Sequence, residues 1–136
     1  MTERPSALTA WYAVAESRDP NGLDALLADD VVFRSPAVYK AQEGKTITSA
    51  YLTAAIVVLG PTLTYTGEWF DDRGAVLEFE AELGDVELQG VDILRWDEAG
   101  RITSFTVMVR PLKGLQALIP LMAEQLRPKP VIPDWQ

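Results

Sequence analysis

Between residues 75 and 96, apolar and polar side chains alternate through two runs separated by Gly84-Asp85. That pattern restricts the stretch to two half-buried strands joined by a tight turn. In the first run Ala75, Leu77, Phe79, Ala81 and Leu83 share one side, and Glu78, Glu80 and Glu82 share the other, which reads as a solvated sheet face. In the second, Val86, Leu88, Leu94 and Trp96 fall in the even register, while Glu87, Gln89 and Arg95 fall in the odd one. Asp92 breaks the pattern, because it lies in the even, apolar register. A charge on an apolar face is costly unless it is paired, hydrogen-bonded or neutralised. Asp92 is therefore either the acid of a functional pocket or a structural aspartate paired with Arg110, Arg34 or Lys40.

The remaining elements follow from periodicity. Residues 6–17 read as a helix with Leu8, Trp11, Tyr12 and Ala15 at helical spacing, stopped by Asp19-Pro20-Asn21-Gly22. A short helix over 23–27 ends at Ala28-Asp29-Asp30 and precedes the β-branched run Val31-Val32-Phe33. A loop through Tyr39, Lys40 and Gly44 leads to a helix over 46–59, with Ile47, Tyr51, Ala54, Ala55 and Val58 on one face and Leu52, Ile56 and Leu59 widening the stripe. Strands are expected over 63–70, with Leu63, Tyr65 and Trp69 on one face, and over 101–110. In the latter, Phe105, Val107 and Val109 face one way, and Ile102 and Met108 the other. Residues 112–126 return to helical spacing through Leu115, Leu118, Ile119 and Met122, with Pro120 as a kink, before a proline-rich tail over 127–136. Helices in front of an antiparallel meander give an α+β domain whose curved sheet wraps the N-terminal helices and is followed by a C-terminal helix. A chain of 136 residues fits one such domain, with its core over 6–126.

Composition narrows the chemistry. The chain contains no cysteine and no histidine, so disulfides, thiolate nucleophiles, imidazole bases and Cys/His zinc sites are all excluded. Acid–base chemistry must use carboxylate, lysine, tyrosine or water. A net charge of −8 disfavours nucleic acid and anionic membrane surfaces as partners and leaves small molecules. Residues 1–15 lack the pattern of a secretory signal, no run is apolar enough to span a membrane, and the missing cysteines suit a cytoplasmic location. Asp29-Asp30 lacks the further oxygen ligands of a calcium loop, so no metal or cofactor is expected.

The element order, with Ala28-Asp29-Asp30-Val31-Val32-Phe33-Arg34-Ser35-Pro36 and the stretch Gly90 to Ile102, resembles the nuclear transport factor 2-like superfamily. Within it the chain is most similar to the SnoaL-like branch, relatives of polyketide cyclases and ketosteroid isomerases. The resemblance implies a cone with a hydrophobic pocket. It also implies that Asp92 matches the acid that donates to the substrate oxyanion in ketosteroid isomerases, which an apolar site keeps in its neutral form. The family's catalytic base falls on Ser35 and its tyrosine on Trp11, so two of three catalytic positions depart from the isomerase pattern. Tyr51, Phe105, Val107 and Val109 match pocket-facing positions. The limonene epoxide hydrolase branch needs an aspartate where Thr106-Val107 stand.

From these readings Asp92 is the candidate catalytic residue. Trp11, Phe33, Ser35, Tyr51, Trp69, Phe79, Leu88, Phe105, Val107 and Val109 are candidate ligand contacts. The aromatic members serve equally well as core, and Tyr39 and Lys40 as a solvated loop. The expected function is binding of a small apolar or aromatic molecule, with proton transfer of isomerase or cyclase type through Asp92. The alternative is a non-catalytic dimeric binding or interaction module in which Asp92 is structural and the second sheet face forms a homodimer interface.

Overall fold

The ten-rung antiparallel ladder from Gly74↔Arg95 to Leu83↔Val86 is the backbone of the architecture seen in a computed structural model, which describes residues 3–127. The elements in chain order are α1 (Ser6–Ser17), α2 (Leu23–Leu26) behind a 3-10 turn, β1 (Leu27–Arg34), β2 (Gln42–Glu43) and α3 (Lys45–Leu59). They continue with β3 (Thr64–Phe70), β4 (Gly74–Leu83), β5 (Val86–Trp96), β6 (Ile102–Arg110) and α4 (Leu112–Leu126). The expected proline-rich tail lies, from residue 128 onward, outside the described residues.

The six strands form one curved, open sheet in the order β2-β1-β6-β5-β4-β3. Strands β3 to β6 are the expected meander. Strand β1 lies against β6 in parallel, a pairing of distant segments that local alternation does not reveal. Strand β2, read as loop from the sequence, is a two-residue antiparallel addition to β1. Strand β1 also begins earlier than expected, at Leu27: the short helix turns directly into extended backbone there, burying Leu27, Ala28 and Val31.

The α1 helix lays Leu8, Trp11 and Val14 on the sheet's concave side, and α3 contributes Leu52 and Ile56, joining Leu77, Leu94, Trp96 and Phe105 in the core. In α3 the buried stripe runs through Thr48, Leu52, Ile56 and Leu59, whereas Ile47 is exposed, so the face centred on Ile47 and Tyr51 is the flank of the stripe. Two irregularities in the ladders correct the strand registers. Between Tyr65 and Gly67 the β3–β4 register shifts, which turns Tyr65 inward and Trp69 outward, where it is 59% exposed. The Trp69 ring lies over Gly67, where an added Cβ would come within 2.7 Å of it. A second shift between Arg95 and Trp96 pairs Trp96 with Ile102, bringing Ile102 into the core instead of the outer face.

Gly90 sits directly across from Phe79, and a Cβ there would press on the Phe79 ring at 2.5 Å and on the Met108 carbonyl oxygen. The ring occupies the space a side chain would need. Gly90→Ala is expected to destabilise the fold by about 1–3 kcal/mol, as overpacking against an immobile backbone oxygen does. A lowered urea midpoint with an unchanged m-value checks this.

Candidate functional site

The bend of the sheet and the helices α1 and α3 leave a cavity of about 370 Å³ between them. Its walls are largely apolar, with Leu52, Ile56 and Leu59 from α3 and Phe79, Phe105 and Val107 from the sheet, while Glu16 and Arg18 at the end of α1 also line it. Asp92 faces this cavity from β5, flanked across the ladders by Leu77 and Val107. Among the described residues it is one of two polar or charged side chains in the core, and it is only 6% exposed.

One hydroxyl holds the carboxylate. The Tyr65 O–H donates to Asp92 Oδ2 at 2.7 Å, and the Trp11 indole Nε1–H donates to the Tyr65 oxygen at 3.0 Å. The donors therefore run one way, from indole to phenol to carboxylate. None of the expected cationic partners reaches Asp92. Arg110 bonds Gln89 at 2.8 Å, Arg34 bonds Ser104 at 3.3 Å, and Lys40 makes no ion pair among the described residues. Burial accordingly pushes the Asp92 carboxyl up to about 7, against a smaller downward pull from the Tyr65 hydrogen bond. Burial and the adjacent carboxylate hold the Tyr65 phenol well above its ordinary value.

A second layer steadies Tyr65. Tyr12 packs edge-on against it with ring centroids 5.4 Å apart, and the Arg4 guanidinium lies 4.7 Å above the Tyr12 ring. Arg4 also grips the Glu68 carboxylate, at 3.0 Å from Nε and 3.2 Å from Nη2. Burial first, then the neighbouring Glu68, raises the Tyr12 phenol to about 12. The β3 bulge makes this possible by turning Glu68 toward the α1 side.

The residues singled out from the sequence separate into groups. Asp92, Trp11, Phe79, Phe105 and Val107 converge on the cavity. Phe33, Ser35 and Tyr51 line a neighbouring apolar cavity of about 210 Å³ under α4, which also touches Val107. Ser35, where the family resemblance places a base, is thus apart from the Asp92 cavity, and its Oγ accepts the Ala37 backbone N–H at 3.2 Å. Leu88 faces α4, close against Gly114, and Val109 joins the same satellite core, so neither lines the Asp92 cavity. Trp69 lies on the outer surface. Tyr65, which sequence periodicity places on an apolar face without a polar role, is the direct partner of Asp92. The available signal was a tyrosine in the same inward register as a lone buried acid, since a buried phenol needs a partner. Among the described residues no cluster of acidic side chains is arranged to hold a metal ion, and Asp29 instead pairs with Lys45 at 3.2 Å.

A cone of helices held in a curved sheet, with an apolar cavity and one buried acid, is the nuclear transport factor 2-like architecture. Within it the chain belongs to the SnoaL-like domain family, whose model matches residues 8–105. A steroid delta-isomerase structure from Pseudomonas aeruginosa is 40% identical over 89% of both chains, with a TM-score of 0.85. An uncharacterised bacterial protein of cystatin-like fold from Silicibacter pomeroyi is 29% identical over 88% of this chain and 84% of its own, with a TM-score of 0.82. A protein with a ketosteroid isomerase-like fold from Catenulispora acidiphila is 20% identical over 77% and 85%, with a TM-score of 0.58, and shares the fold. No curated protein matches the sequence.

Asp92 holds its proton more tightly in the folded chain, at about 7, than at the ordinary value of 3.8. Its contribution therefore favours folding fully below the ordinary value and is lost as pH rises through about 7. Asp92→Asn, whose amide oxygen still accepts the Tyr65 hydroxyl, is expected to stabilise the protein at pH 8 by on the order of 2–4 kcal/mol and to change little at pH 4. Urea unfolding across that range measures it. Tyr65→Phe removes the one lowering influence and moves the Asp92 titration upward, as read by carboxyl-carbon NMR.

Proposed function

We propose that the protein binds a small, largely apolar carbonyl compound in the Asp92 cavity and moves a proton on it, in the manner of an isomerase or cyclase. The observation that carries this reading is the placement of one buried carboxyl, bonded to the Tyr65 hydroxyl and to no cation, on the wall of a largely apolar cavity. A group that titrates near the working pH is suited both to take and to return a proton. The cavity volume falls within the roughly 300–1,000 Å³ span of small-molecule sites.

With Ser35 outside the cavity, Asp92 serves as base and then acid. The carboxylate takes the proton from the carbon next to the carbonyl. The C–H electron pair moves into the enolate, and the new Asp92 O–H returns the proton to another carbon of the conjugated system. As Asp92 becomes neutral its hold on the Tyr65 hydroxyl weakens, and that O–H turns toward the developing oxyanion. Trp11 and Tyr12 keep the phenol in place. The 40% identical relative is described as a steroid delta-isomerase, which makes a β,γ-unsaturated 3-ketosteroid the natural first substrate.

Conversion of that steroid to the conjugated enone, followed by absorbance, is expected to rise with pH around a midpoint near 7. Asp92→Asn should lower it by roughly 10²–10⁴-fold. A variant that keeps the wild-type rate sinks the assignment.

The alternative of a dimeric module has its own support in the outer sheet face, where Trp69 and Met108 are 59% and 53% exposed. We infer pairing of two copies through that face. Sedimentation is expected to give a dimer at micromolar protein and a monomer for Trp69→Glu; a wild-type monomer rules the pairing out.

A further inference from the structure

The polar side chains on the wall of the Asp92 cavity divide into two sets. Trp11, Tyr65 and Asp92 bond one another in sequence, and Tyr12 lies against Glu68. Glu16 and Arg18 line the same cavity but form no ion pair, with each other or with any other of the described residues. The arginines whose side chains donate hydrogen bonds among these residues are Arg4, Arg34, Arg73 and Arg110, so the Arg18 guanidinium has no acceptor. Glu16 and Arg18 are both exposed while touching the cavity, which places them at its mouth. Residues two apart do not share a face on a continuing helix. Here Arg18 ends α1 in the left-handed conformation, at φ 56°, the one non-glycine residue at positive φ among those described. A glycine would adopt that backbone without the steric cost a side chain meets. The cost falls on a guanidinium whose stem lies along the end of α3, where a Cβ at Gly60 would stand 2.9 Å from Arg18 Cδ.

The two sets are separated along α1. Arg18 follows Trp11 by seven positions, about 10 Å along the helix axis. That is comparable with the length of a four-ring steroid skeleton, so a ligand whose carbonyl meets Tyr65 and Asp92 brings its far end to Glu16 and Arg18. A guanidinium only donates, and a carboxylate only accepts. The smallest neutral group that satisfies both is a hydroxyl, whose oxygen accepts from Arg18 and whose proton goes to Glu16. An anionic end group would gain Arg18 but meet Glu16 and a chain of net charge −8. Resting on the reading of this cavity as a steroid-ketone site, we propose that the ligand carries a hydroxyl at the end remote from its reacting carbonyl, held between Arg18 and Glu16.

Testosterone, androstenedione and the analogue with no oxygen on its five-membered ring share the conjugated enone that the proposed reaction forms. At the far end they offer a donor and acceptor, an acceptor alone, and neither. Calorimetric titration measures their binding without turnover, and comparing each steroid between wild type and variant cancels their differing solubilities. Arg18→Met is expected to weaken testosterone and androstenedione by roughly three- to tenfold each, the range of one hydrogen bond, and to leave the deoxy analogue unchanged. Glu16→Met should weaken testosterone alone, by a similar factor. Equal effects on all three steroids, or no effect of Arg18→Met, overturns the hydroxyl inference while leaving the cavity as a ketone site. Arg18→Met acting as expected with Glu16→Met silent overturns it too, since the mouth then reads an acceptor and no donor. Failure of all three steroids to bind the wild-type protein overturns the steroid-ketone reading as well.

Discussion

Register along the β4–β5 ladder is the constraint on which the rest depends. Ten consecutive pairs fix which side chains of both strands face the helices, and a slip of one residue would send Asp92 to water and Val91 and Ile93 to the cavity. The alternation of Leu77, Phe79 and Ala81 against Glu78 and Glu80 resists that slip, because it would bury two carboxylates that now face outward. The same ladder sets Phe79 over Gly90, and β6 adds Phe105 and Val107 beside Leu94 and Asp92. The acid's position is thus a by-product of strand pairing that the surrounding apolar residues enforce.

Burying the acid has a cost that the fold only partly offsets. One phenol donates to it, one indole supports the phenol, and no cation among the described residues forms an ion pair with it. A guanidinium in place of Tyr65 would have stabilised the carboxylate and driven its titration down, leaving a structural aspartate that gives up its proton far below neutrality. Three arginines are engaged elsewhere, Arg4 on Glu68, Arg34 on Ser104 and Arg110 on Gln89, and Arg18, which lines the cavity, makes no ion pair with Asp92. That allocation distinguishes this site from an ordinary core ion pair.

Much of this was legible in the sequence where the signal is local. The α1 and α4 boundaries, the Gly84-Asp85 turn and the inward register of Asp92 follow from periodicity and turn chemistry. What escaped was non-local or irregular. The parallel β1–β6 pair joins segments some seventy residues apart. The shifts after Tyr65 and Arg95 each insert a residue that resets the alternation, so Trp69 and Ile102 exchange the faces assigned to them. Tyr65 itself read as one more apolar-face aromatic, since only the folded sheet brings it to within hydrogen-bonding distance of Asp92. The family pattern pointed to Ser35 as the base position, but the wall that the two cavities share at Val107 lies in no single segment of the chain.

The Trp11 indole carries an optical consequence. Its N–H ends on the oxygen of the phenol that serves the acid, and its ring meets Phe105 edge-on with centroids 4.8 Å apart. Of the other described tryptophans, Trp69 is open to solvent and Trp96 is tied to the Asp72 carbonyl away from the cavity. A change of proton at Asp92 is therefore expected to reach the Trp11 indole through Tyr65, which would make its emission a native gauge of the state of the acid.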